Sequence, residues 1–166
     1  MLALVVGGSG SGKSEYAEAL ALDFGDKISY IATMIPFGKR GEERIIRHKR
    51  LREGKNFNVI EKYRDVGKLW GEGTVILECV TNLVANEIFG ENPKSKEEIL
   101  DSILELNYKN VILVSGNVFE DGIDYDRETM KYIEILGYVN NQLAKRADRV
   151  IEVVCGIALE VKNESN

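Results

Sequence analysis

Near the start of the chain, Gly7-Gly8-Ser9-Gly10-Ser11-Gly12-Lys13-Ser14 combines four glycines, two of them bracketing a four-residue gap, with a lysine and a hydroxyl. The glycines let backbone N–H groups turn inward around a phosphate without Cβ clashes. Lys13 has the reach for the β- and γ-phosphates of a nucleoside triphosphate, and the Ser14 hydroxyl suits Mg2+. The spacing Gly7-x4-Gly12-Lys13-Ser14 is the P-loop pattern. Its context agrees. The apolar run Leu2-Ala3-Leu4-Val5-Val6 reads as a strand, and Glu15 to Leu20 opens a helix whose positive dipole end faces the loop. Nucleoside triphosphate binding is therefore the first expectation.

Two further stretches carry chemistry. Thr74-Val75-Ile76-Leu77-Glu78 is a buried-type strand closing on a carboxylate. That is the form of the acidic strand that accompanies a P-loop and holds Mg2+ directly or through water. Glu61 closes the shorter run Phe57-Asn58-Val59-Ile60 in the same way, and there the pattern does not separate a site residue from a surface acid. Before both lies a basic segment containing Lys39, Arg40, Arg44, Arg47, Lys49, Arg50, Arg52 and Lys55 against three acids. It includes His48, the one histidine of the protein. Residues 42–53 can be helical, with Ile45, His48 and Leu51 or Arg52 on neighbouring turns. By pattern alone, a solvated basic helix with an incidental histidine is favoured over a phosphate-handling helix with a nucleophilic His48.

The elements that must position these groups alternate strand and helix. The first helix is expected over residues 14–24, with Ala17, Leu20, Ala21 and Phe24 buried and Gly25 as its stop. A strand follows at Ile28–Ala32. Its carboxyl end faces the ligand in a parallel sheet, which brings Thr33 near the nucleotide. After the basic segment come the strand 57–61, a short helix near 65–70, the strand 74–78 and a helix over 81–89 broken by Gly90 and Pro93. Ser95 with Glu98 forms a capping box for a helix over 96–106. Val111–Ser115 is a strand whose end leads into a Gly/Asp/Asn-rich loop, 116–126, bordering the site. A long helix over 127–146, a strand at 149–154, a Cys155-Gly156 turn and a returning strand at 157–161 complete the chain. The expected fold class is α/β: a doubly wound, mostly parallel P-loop NTPase-type sheet with a C-terminal β-hairpin, as one domain over 1–166.

Bulk properties narrow the class. The length of 166 residues suits one domain, and 44% hydrophobic with 30% charged residues is ordinary for a globular protein. No apolar run approaches the roughly 20 residues that span a bilayer. The formal net charge of −5 and the lack of aromatics in the basic segment argue against a nucleic-acid partner. Cys79 and Cys155 lack metal-type spacing and read as buried thiols of a reducing compartment, so a cytoplasmic location is expected.

Several segments in order resemble the bifunctional adenosylcobinamide kinase/adenosylcobinamide-phosphate guanylyltransferase family of cobalamin biosynthesis. They are Gly7 to Ser14 with Ala17-Glu18; Tyr30-Ile31-Ala32-Thr33; Arg44-Ile45 and His48-Lys49; Leu77-Glu78-Cys79-Val80-Thr81-Asn82-Leu83; Val139 to Ala144 with Ala147-Asp148; and Val153-Val154 to Gly156-Ile157. The resemblance implies that His48 accepts GMP. It also implies that GTP is bound by Gly7, Gly8, Ser9, Gly10, Ser11, Gly12, Lys13 and Ser14 and by Ala32, Thr33, Met34, Lys49, Arg50, Leu51, Arg52, Glu61 and Glu78. ATP is the alternative phosphoryl donor, Ser14 and Glu78 hold Mg2+, Lys13 and Glu78 serve γ-transfer, and the substrate is a corinoid. The family fold is a P-loop α/β domain assembled as a homotrimer. Two segments depart from the family pattern. Asn117-Val118-Phe119-Glu120-Asp121-Gly122 lacks the usual Asn-Glu-Val-Gly acid position and its following proline, and the stretch between His48 and Glu61 lacks an Arg-Pro…Trp pattern. The rival readings are a small-molecule P-loop kinase without a guanylyl step and a non-catalytic nucleotide switch. Against the switch, no Asn-Lys-x-Asp guanine-reading segment is present.

Overall fold

The computed structural model describes residues 1–25, 27–36, 43, 45–46, 50, 53–117 and 124–164. Seven strands form one sheet: β1 (Leu2–Val6), β2 (Ile28–Ala32), β3 (Asn58–Glu61), β4 (Thr74–Glu78), β5 (Asn110–Val114), β6 (Arg149–Val154) and β7 (Ile157–Asn163). Their order is β3-β2-β4-β5-β1-β6-β7. All neighbours run parallel except β6 and β7, which pair antiparallel. Four helices have full bounds: α1 (Lys13–Asp23), α2 (Val80–Phe89), α3 (Lys96–Leu104) and α4 (Arg127–Arg146).

The central strands β1, β4 and β5 are apolar along their middles, with polar residues only at the ends of β4 and β5, because both sheet faces are covered. Side-chain alternation splits them between two cores. Leu4, Ile31, Val75, Leu77, Val111, Leu113 and Val150 point to the face where α2, α3 and α4 pack. Ala3, Val5, Tyr30, Ile76, Ile112, Val114, Ile151 and Val153 point to the face carrying Ala17, Leu20 and Ala21 of α1. This is the expected α/β sheet with helices on both faces and a terminal hairpin.

Boundaries differ in a few places. The helix expected near 65–70 is a single 3-10 turn, Val66–Lys68, and the helix from Lys96 stops at Leu104. Its capping box is formed as read, with Glu98 N–H donating to Ser95 Oγ at 3.2 Å and Ser95 N–H to Glu98 Oε2 at 2.7 Å. Phe57 lies before β3 and stacks on Tyr30, ring centroids 6.2 Å apart. Phe24 falls just past α1, where it caps the helix and is only partly buried. The strand expected at 157–161 runs on to Asn163.

Cys155 corrects the expectation of two buried thiols: Cys79 is buried, but Cys155 is exposed. With φ of 50° at Cys155 and 80° at Gly156, the two make the tight hairpin turn between β6 and β7. A side chain at such a turn tip projects into solvent. In the basic segment, Glu43, Ile45, Ile46 and Arg50 have helical backbone, with Ile45 half-buried and the others exposed. His48, Arg44, Arg47, Lys49, Leu51 and Arg52 lie outside the described residues.

Candidate nucleotide site

Residues 7–12 run from the end of β1 to the start of α1. Gly10 and Gly12 hold φ of 74° and 94°, which side chains rarely adopt. Gly7 is required by crowding: a Cβ there would lie 2.5 Å from Val153 O and 2.6 Å from Ser11 Oγ. The loop is braced from both sides. Ser11 N–H donates to Gly8 O at 3.2 Å, Gly156 N–H donates to Ser11 O at 2.8 Å, and Asn117 N–H reaches Gly7 O at 3.4 Å. The hairpin turn of β6–β7 therefore props the loop, a contact that sequence reading missed. A two-residue Cys-Gly turn signals a hairpin, but nothing local says what the turn rests on.

No side chain caps the N-terminus of α1. Its first-turn N–H groups are thus left for an anion, and the dipole favours one there. Lys13 lies across its own loop, Nζ donating to Gly8 O at 2.9 Å. Ser14 Oγ donates to Glu78 Oε1 at 3.0 Å, across 64 residues of sequence. A hydroxyl and a carboxylate side by side are the hard oxygen donors that suit Mg2+, which keeps most of its water shell. The donor set fits the cation. Among the described residues there is no cluster of three or more His, Cys, Asp or Glu side chains that would make a dedicated metal cage.

Pairing registers align the other predicted residues. Ala32 is opposite Glu61 on β3 and opposite Glu78 on β4, so three adjacent strand ends form one row. Glu61 is exposed and accepts a hydrogen bond from Tyr63 Oη at 3.2 Å. Desolvation, then the Glu61 carboxylate, push the Tyr63 phenol above its ordinary value. Thr33 follows Ala32 at the end of this row and is wholly buried. Its N–H donates to Glu78 O at 2.9 Å, and its Oγ1 accepts from Cys79 N–H at 2.7 Å and lies 3.0 and 2.9 Å from Glu78 O and Cys79 O. Thr33 thus fixes the strand end that carries Glu78 rather than presenting its side chain to a ligand. Met34 follows it, half-buried, and Arg50 is exposed.

Cys79, next to Glu78, is inert. Burial, with the neighbouring Glu78 charge, pushes its thiol up to about 11, and Sγ lies 2.7 Å from Thr81 Oγ1. Burial likewise pushes the Tyr132 phenol up to about 12. The burial of two acids, Glu18 and Glu87, escaped the sequence reading. Glu18, one helical turn beyond Ser14 on the same side of α1, pairs with Lys55 Nζ at 2.5 Å. Glu87 takes Arg64 Nε at 3.1 Å, Lys94 Nζ at 3.0 Å and Asp65 N–H at 2.7 Å. Buried carboxylates need such partners. The signal for Glu18 is its helical spacing, which sets it beside Ala17 and Ala21 on the apolar side.

A parallel sheet with a glycine loop between β1 and α1, a lysine and serine closing that loop, and an acid at the end of β4 defines a P-loop nucleotide-binding domain. The chain belongs to the cobinamide kinase/cobinamide phosphate guanyltransferase family, whose model matches residues 3–161. It is similar to the bifunctional adenosylcobalamin biosynthesis protein CobU of Salmonella typhimurium, with 31% identity over 98% of this chain and 100% of that protein. It is also similar to the bifunctional adenosylcobalamin biosynthesis protein CobP of Pseudomonas aeruginosa, with 27% identity over 97% of each chain. Among solved structures it is similar to an ATPase from the type III secretion system of pathogenic bacteria, with 12% identity, a TM-score of 0.49, and coverage of 92% of this chain and 50% of that one. Family enzymes are transferases, and so is this chain. No helix among the described residues is long and apolar enough to cross a membrane.

Proposed function

We propose that the chain phosphorylates adenosylcobinamide and then transfers GMP from GTP, through a guanylylated His48, to adenosylcobinamide phosphate, giving adenosyl-GDP-cobinamide. The observation that carries this reading is the assembled Lys13–Ser14–Glu78 group within a family match that runs through nearly the whole chain.

In the first reaction, the corinoid hydroxyl oxygen attacks the γ-phosphorus of GTP or ATP, and the nucleoside diphosphate leaves. The backbone N–H groups of residues 8–14 hold the phosphates in line, and the Lys13 ammonium balances charge on the transferring group. Ser14 and Glu78 would hold Mg2+, which when bound neutralises charge on the β- and γ-phosphates. Ala32, Met34 and Glu61, with Thr33 behind them, border the same nucleotide from the neighbouring strand ends. Lys49, Arg50, Leu51 and Arg52 serve it from the basic segment.

In the second reaction, the neutral imidazole of His48 attacks the α-phosphorus of GTP. A P–N bond forms and pyrophosphate leaves. A phosphate oxygen of the corinoid then attacks that phosphorus, the P–N bond breaks and His48 is restored. Splitting one difficult transfer into two is ordinary covalent catalysis. Cationic neighbours such as Arg44 and Lys49 favour the neutral imidazole and bind phosphate.

Incubation with GTP followed by intact-mass measurement tests the reading. A GMP adduct that is acid-labile, alkali-stable and absent from His48→Asn is expected. The same variant should keep γ-transfer, which needs Lys13 and Glu78 rather than an imidazole. Undiminished labelling of His48→Asn would remove the guanylyl role from this residue and leave the plain kinase. A homotrimer in the reducing cytoplasm is the proposed working form. In support, the edge strand β7 leaves Ile157, Leu159 and Val161 between 51% and 66% exposed, an apolar stripe that a neighbouring subunit would cover.

A further inference from the structure

Asn86, on α2, has an amide nitrogen that donates twice: to Thr33 O at 2.8 Å and to Tyr63 O at 2.9 Å. Those carbonyls belong to the segments leaving β2 and β3. Both partners are acceptors only, so the orientation of the amide is fixed by chemistry. The chain of contacts continues. Thr33 N–H and Oγ1 grip the backbone of Glu78 and Cys79, and Glu78 carries the oxygen beside Ser14. One side chain therefore ties the carboxyl ends of three strands together.

Parallel strands end side by side, and here the last backbone bonds across these ends are Lys62 N–H to Ala32 O at 3.1 Å and Thr33 N–H to Glu78 O at 2.9 Å. Past those bonds only a side chain holds Thr33 and Tyr63 to one element, and without it the row Glu61–Ala32–Glu78 is held less firmly at one height. We propose that Asn86 is a positioning residue of the nucleotide site: its two donors clamp the exits of β2 and β3 and, through Thr33, set where Glu78 stands beside the P-loop. This rests on the nucleotide reading above.

Replacing the amide by an isosteric acid gives a readout that loss of packing alone does not. In Asn86→Asp a carboxylate would face two carbonyl oxygens, with no proton to give. When it protonates, it regains one donor. The charged groups around the position are Glu87, Arg64, Lys94 and Asp65, with Glu61 and Glu78 on the strand ends. All are present in wild type and in both variants, so the ratio of Asn86→Asp to Asn86→Ala cancels their titration and that of the triphosphate.

The experiment is calorimetric titration of wild type, Asn86→Ala and Asn86→Asp with Mg-GTP between about pH 8 and about pH 5.5, with hydrogen exchange at the Thr33 and Cys79 amides. Asn86→Ala should bind about tenfold more weakly at every pH, a displacement effect of the size that small misplacements produce. Asn86→Asp should bind more weakly still at the alkaline end and recover to the level of Asn86→Ala or better at the acid end. A ratio independent of pH, or both variants binding as wild type does, would overturn the clamp. If Asn86→Ala does not fold, wild type becomes the reference: affinity of Asn86→Asp returning toward it at low pH supports the clamp, and a constant deficit overturns it. If wild type itself does not bind Mg-GTP, the nucleotide reading fails. The clamp is then decided by exchange alone, with faster Thr33 and Cys79 amides in the variants supporting it and unchanged ones overturning it.

Discussion

Gly7→Ala and Gly8→Ala differ by one position and should differ sharply in effect. At Gly7 a methyl group would meet Val153 O at 2.5 Å and Ser11 Oγ at 2.6 Å. The serine side chain can rotate away. The carbonyl cannot, because it belongs to β6, which is laddered to β1 on one side and β7 on the other. Relief must come from the loop itself moving off the strand. Overpacking of this kind costs about 1–3 kcal/mol. At about 2–4 °C per kcal/mol for a chain of this size, Tm should fall by roughly 2–12 °C. At Gly8 nothing lies within 4 Å of an added Cβ, and its φ is not positive, so stability should stay within about 0.5 kcal/mol of wild type. Thermal melts followed by circular dichroism, with GTP titration of each folded variant, form the assay. Gly7→Ala should also lose nucleotide affinity about tenfold or more, because the displaced loop no longer aims its N–H groups together. A Gly7→Ala protein as stable as wild type would refute the close approach of β6 to the loop.

Lys13→Ala should abolish triphosphate binding by calorimetry and both transfer activities, and unchanged affinity would contradict the phosphate cradle. A thiol reagent in excess should modify one cysteine of the native protein quickly, at the exposed Cys155, and reach Cys79 only on unfolding, since burial keeps that thiol protonated. Reaction of both thiols in the native state would contradict this. The hydrogen bond from Lys94 holds Asp65 below its ordinary value of 3.8. Its contribution to stability is therefore present above that pH and lost as pH falls through the lower folded value, so Asp65→Asn should show a shallower loss of Tm below about pH 4. An identical acid limb would mean that the pair contributes nothing. Light scattering across micromolar concentrations should give three times the chain mass, and a strict monomer would refute the proposed trimer.

The P-loop was legible because it is a local device. Consecutive glycines, a lysine and a serine specify backbone turns and reach within eight residues, and the flanking apolar run and helical spacing confirm the setting. Strand and helix positions were legible for a similar reason, since apolar periodicity is imposed by which faces must be covered. Helix ends, the 3-10 turn and the exposure of Cys155 were less so, because they depend on what packs nearby. Glu78 shows the division plainly. The chain announces an apolar strand closing on an acid, but only the strand order β2-β4-β5-β1 sets that acid 3.0 Å from Ser14. Thr33 shows it from the other side. Position after a parallel strand predicts nearness to the ligand, yet the hydroxyl turns inward to hold Glu78 and Cys79. The Gly156 contact to Ser11 joins residues 145 positions apart, and the two arms of the Asn86 clamp join residues 53 and 23 positions apart. No spacing rule encodes such contacts, because strand register and hairpin docking are settled by the packing of the whole sheet.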